Sequence, residues 1–129
     1  MSQYDLGKFS YEEQLETASH WDNKLSYINM IEEFLCNKIT DVTAGAFLQR
    51  FDNLWHTNQK LEKQAQKKLI ENLDSKDLLK LPEYAYLLGC ICDLCESIYY
   101  DYDPPWRSTK ELRKELEIIF VKLKKLLDD

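Results

Sequence analysis

Asp93, Glu96, Tyr100, Asp101, Asp103 and Trp106 bring carboxylates and aromatic rings together in one short stretch of the chain. Carboxylates accept paired, charge-assisted hydrogen bonds from Arg and Lys, and Tyr and Trp supply rigid contact area, so the combination suits recognition of a basic protein surface. A solvated acidic face is the plainer alternative. Charge along the chain favours a partner. Residues 1–59 hold four basic and nine acidic side chains, residues 60–80 six and four, and residues 107–129 seven and five, whereas residues 81–106 hold five acidic and no basic ones. Such a run repels itself, and a basic partner relieves that repulsion. Asp93, Glu96, Tyr100, Asp101 and Asp103 are therefore the candidate partner-binding residues.

Other chemistry finds less support. Asp101 and Asp103 have the types needed for acid and base catalysis, but that work requires a pocket that separates their pKa values. Three glycines leave little room for a phosphate-cradling loop, and neither a Gly-x-Ser-x-Gly turn nor a His-Glu-x-x-His helix occurs. Cys36 and His56 could be imagined as nucleophile and base, yet no third group ties them together. Cys90, Cys92 and Cys95 crowd one helical segment, and His20 and His56 lie far from it, so four thiols are expected, with no metal site and no cofactor. The chain reads as a binding protein and not as an enzyme. Its net charge of -6 disfavours nucleic acid as a direct ligand.

The elements that position these residues are helical. With 129 residues, 44% of them hydrophobic, and only three Gly and three Pro, the chain is expected to form a single helical domain over 1–129. Residues 1–9 form an extended lead-in, and the core bundle occupies about 22–127. Ser10 and Glu13 have capping-box spacing and start a helix of low apolar content. Leu25, Ile28, Ile31, Phe34 and Leu35 form the stripe of a first core helix. Phe47, Phe51, Leu54 and Trp55 form a second, and whether residues 43–73 make one helix or two stays open. The Lys-rich segment 60–80 reads as a solvated face and connector. Pro82 is placed at the first turn of a helix that runs to about Tyr102 and ends before Pro104 and Pro105. On it, Tyr84, Leu87, Leu88, Ile91 and Cys95 face inward, and Tyr86, Gly89, Cys90, Asp93 and Glu96 face outward. Ser108 and Glu111 open a last helix carrying Leu112, Leu116, Ile119, Phe120, Leu123 and Leu127. An antiparallel four-helix bundle with an N-terminal helical extension is the expected fold. No stretch approaches the roughly 20 apolar residues of a spanning helix and no secretory signal opens the chain, so a cytoplasmic protein without membrane contact is expected.

The run from Tyr27 to Leu54, with Ile28, Ile31, Phe34, Lys38, Ile39, Thr40, Phe47 and Phe51, resembles the opening of the colicin D immunity family. Tyr99, Tyr100, Asp101, Tyr102, Asp103, Pro104 and the helix from Lys110 resemble its second half, so the likeness covers roughly residues 27–125. Two departures are the extension before Tyr27 and the Lys-rich segment 60–80, longer than the family's usual connection. The resemblance implies a four-helix bundle that neutralises the nuclease domain of a tRNA-cleaving toxin by covering its active site as an acidic mimic of RNA. The alternative is a helical adaptor or regulatory subunit that docks a different basic protein.

Overall fold

The structure, a computed structural model, describes residues 9–36, 41–99 and 109–128. Among them it is all-helical, with six helices and no strand: α1 (Tyr11–Asp22), α2 (Lys24–Cys36), α3 (Asp41–Gln59), α4 (Lys63–Glu71), α5 (Ser75–Tyr99) and α6 (Thr109–Asp128). No described helix is long and apolar enough to cross a membrane.

The capping box at the start of α1 forms as its spacing predicts. The Glu13 amide donates to Ser10 Oγ at 3.1 Å, and the Ser10 amide donates to Glu13 Oε1 at 3.5 Å. At the other end Asn23 breaks the chain direction in a single residue. Its amide donates to the His20 carbonyl, its side chain donates to the Ser19 carbonyl at 3.1 Å, and its own carbonyl accepts from Tyr27 to open α2. The orphan carbonyls of one helix and the first bond of the next are thus handled together.

Segment 43–73 lies in two helices. α3 ends at Gln59 and α4 begins at Lys63, where Lys63 Nζ donates to Glu12 Oε1 of α1 at 2.7 Å. α5 starts earlier than Pro82 suggests. The Asp74 carboxylate accepts from the Asp77 amide at 2.8 Å and caps a helix that begins at Ser75, and Pro82 lies inside it. An interior proline removes one ladder bond and costs about 3 kcal/mol. The cap and the packing of half-buried Leu78 and fully buried Leu81 offset that loss. Ser108, the expected cap of α6, lies outside the described residues.

The core collects Trp21, Tyr27, Ile28, Ile31, Phe34, Phe47, Phe51, Leu81, Tyr84, Leu88, Ile91, Leu112, Leu116 and Leu123 among others. Aromatic contacts run through it. Phe34 stacks on Phe47 at 4.8 Å between centroids, and Trp21 meets Tyr84 edge-on at 5.0 Å. Arg113 of α6 fastens the end of α2 by donating to the Phe34 carbonyl at 2.8 Å with its guanidinium 4.5 Å from the Phe34 ring centre.

Three placements differ from the periodicity. Leu25 is 68% exposed, because α2 begins only at Lys24 and its buried face is set by Tyr27, Ile28, Ile31 and Phe34, roughly opposite Leu25 on the helix. Ile119 is half-buried at the edge of the core, and Leu126 is buried in the last turns of α6. The helix of low apolar content, α1, is deeply packed: Leu15, Ala18 and Trp21 are buried, as are Thr17, Ser19 and His20.

Candidate protein-binding site

On α5 the expected division of faces holds over the described turns. Tyr84, Leu87, Leu88, Ile91 and Leu94 are buried, and Cys95 is half-buried. Asp93 is exposed, Tyr86 is 49% exposed, and Gly89 and Cys90 are half-exposed beside them. Leu79, 62% exposed, extends the same line toward the start of the helix, since residues 79, 86 and 93 recur every seven positions. A Cβ added at Gly89 would meet nothing within 4 Å, so no packing among the described residues calls for a glycine there. The outer face of α5 thus has apolar, aromatic, small and acidic residues in sequence. Glu96 belongs to α5, and the placement of its side chain lies outside the described residues, as do Tyr100, Asp101, Asp103 and Trp106.

The residue with the most developed polar surroundings is His20, which no sequence pattern singles out. It is 3% exposed, and its ring stacks on Trp55 at 4.1 Å. Its Nε2 lies 2.9 Å from Gln59 Oε1 and its Nδ1 2.8 Å from the Tyr27 hydroxyl. An amide oxygen only accepts, so Nε2 carries the proton and Nδ1 accepts from Tyr27. Asn58 Nδ2 donates to the Tyr27 hydroxyl at 3.0 Å, and Asn23 Nδ2 donates to Asn58 Oδ1 at 2.8 Å. The result is a one-directional chain, Asn23 to Asn58 to Tyr27 to His20 to Gln59, in which each member donates to the next. Burial holds the imidazole pKa below its ordinary value, with the Gln59 bond opposing, and burial pushes the phenols of Tyr27 and Tyr84 up. Tyr84 closes the cluster by donating to the His20 carbonyl at 2.8 Å.

Both imidazole nitrogens of this arrangement are engaged. A cleft of about 190 Å³ opens beside it between Glu13, Glu16, Thr17, Trp55 and Leu88. Small-molecule sites usually offer about 300 to 1,000 Å³, a range that this cleft falls below and that a shallow cleft of about 440 Å³ between Leu35 and Lys110, Arg113 and Glu117 reaches. His56 is exposed and pairs with Asp52 at 3.2 Å, and Cys36 lies on another helix. The four cysteines are thiols, with Cys36 exposed and Cys90, Cys92 and Cys95 half-buried. Among the described residues no three His, Cys, Asp or Glu side chains converge as metal ligands would.

No family model, curated protein or solved structure matches the chain.

Proposed function

We propose that this protein is an immunity protein that binds the basic nuclease domain of a toxin, a tRNase by resemblance, and blocks its active-site cleft with the acidic outer face of α5. It acts in the cytoplasm by binding alone, with no catalysis and no cofactor. On this reading α2, α3, α5 and α6 make up the family's four-helix bundle, and α1 with α4 are additions to it. The observation that carries the reading is the charge of residues 81–106, five carboxylates and no basic side chain, of which Glu83, Asp93 and Glu96 belong to α5, a helix whose other side is committed to the core. Asp93 at the exposed surface, with Tyr86 two helical turns before it on the same stripe, supplies a carboxylate and an aromatic ring of the kinds that hold Arg and Lys. Opposite charges also steer encounter with a cleft built to hold RNA.

The test is a charge reversal, Asp93→Lys with Glu96→Lys, measured by calorimetry against a candidate toxin's basic nuclease domain, sought in the gene next to this one. Like charges in the cleft cost several kcal/mol, so affinity should fall roughly a thousandfold and protection from the nuclease should vanish, with circular dichroism unchanged. Association of the unmodified pair should slow with salt over a Debye length of about 8 to 10 Å. Unaltered affinity in the double variant would refute this use of α5. Tight binding to a basic protein without nuclease activity would favour the adaptor.

A further inference from the structure

The inner face of α6 buries Leu112, Leu116, Leu123 and Leu126, yet its outer face carries two large apolar side chains, Ile118 and Val121, that are 54% and 62% exposed. Helical geometry places Lys114, Val121 and Asp128 in one line down that outer face, with Glu117 and Lys124 on one flank and Ile118 and Lys125 on the other. All five charged residues are exposed, and the ion pairs of the described residues involve none of them. Lys124 lies over the Phe120 ring, 5.6 Å from its centre, on the surface of the helix.

We propose that α6 pairs antiparallel with α6 of a second copy of this chain, across a two-fold axis at Val121. Such an axis reverses the helix direction and sets equivalent flanks side by side, so residues on the same flank and within one position of equal distance from 121, on opposite sides of it, meet. Lys114 then faces Asp128 of the second copy, about 10 Å from the axis. Glu117 faces Lys124 of the second copy. Val121 packs on its own symmetry mate, and Ile118 lies against it and against the aliphatic stem of Lys125 of the second copy. Every pairing occurs twice. Neighbouring arrangements lack this complementarity. A parallel pair sets Lys114 on Lys114 and Asp128 on Asp128. An antiparallel pair centred between Ile118 and Val121 sets Lys114 on Lys125 and Glu111 on Asp128. Opposite charges therefore select the Val121-centred register over both, in the way flanking charges set orientation in paired helices.

One helix from each copy gives a contact at or below the roughly 1,200 Å² of small stable interfaces, so a dissociation constant on the order of tens of micromolar is expected. Sedimentation equilibrium on the full chain from about 5 to 500 µM at low salt should show a monomer–dimer equilibrium. Val121→Lys and, separately, Lys114→Glu should each weaken it at least about tenfold, with circular dichroism unchanged because both sites are exposed. Lys114→Glu combined with Asp128→Lys exchanges the charges and should restore dimerisation to within about threefold. A monomer at every concentration would overturn the proposal, as would a dimer indifferent to Val121→Lys or a double exchange that fails to recover what the single change lost.

Discussion

Beneath α1, His20, Tyr27 and Asn58 are buried and joined in a single chain of hydrogen bonds, whereas on the outside of α5 Asp93 is exposed and Tyr86 and Gly89 stand at the surface. The two regions draw on similar side-chain types. Burial joins the first set into a network, because a polar group withdrawn from water must find a partner inside. Asp93, in the second set, stands in water, where no such demand arises. The contrast teaches that the more reactive-looking residue, the histidine, is the one committed to partners within the chain, while the plainer carboxylate stands at the surface.

Breaking the buried chain should have the largest effect. Asn58→Ala removes the donor to Tyr27 and the acceptor for Asn23 while leaving the Asn58 carbonyl that Ser19 Oγ donates to at 2.9 Å. Buried groups left without partners cost about 1 to 3 kcal/mol each, so urea melts should show a loss of roughly 2 to 4 kcal/mol, against less than about 0.5 kcal/mol for a change at exposed Asp93. Equal losses at the two sites would erase the distinction between them.

Acid should expose the same difference. The imidazole of His20 is held below its ordinary pKa by burial, so the unfolded chain binds a proton that the folded chain refuses. Stability is then flat above the unfolded value of about 6.5 and falls as pH drops from there toward the depressed folded pKa, by at most about 1.4 kcal/mol per pH unit for one proton. Melts at pH 7.5 and 5.5 should differ for the natural protein, and the difference should shrink in His20→Gln. A pH dependence that survives this substitution would place the responsible proton elsewhere.

The smallest effect sharpens the α5 side. An alanine methyl at Gly89 meets nothing within 4 Å, so Gly89→Ala should raise stability by about 0.5 to 1 kcal/mol through helix propensity. If a partner approaches this face closely, the same methyl should lower affinity for it. A variant that is more stable and binds equally well would move the contact away from Gly89.

The local signals in the chain were sufficient for an all-helical fold and for several helix limits, but not for the division of 43–73 into α3 and α4. Ser10 with Glu13 marked a capping box, Phe47 and Phe51 a buried stripe, and the alternation on α5 its inner and outer sides, because caps and periodicity are set by residues three or four apart. Of the candidate binding residues, the exposed position of Asp93 was legible in that way. Only the tertiary structure decided that α1 is deeply packed, that α5 extends back through Pro82 to Ser75, that Leu25 faces outward, and that His20 is locked inside. The physical reason is distance along the chain. His20 meets Gln59 from 39 residues away, Asn58 reaches Tyr27 across 31, and Tyr84 reaches His20 across 64, and no local pattern encodes which polar side chain will find a partner once the helices pack.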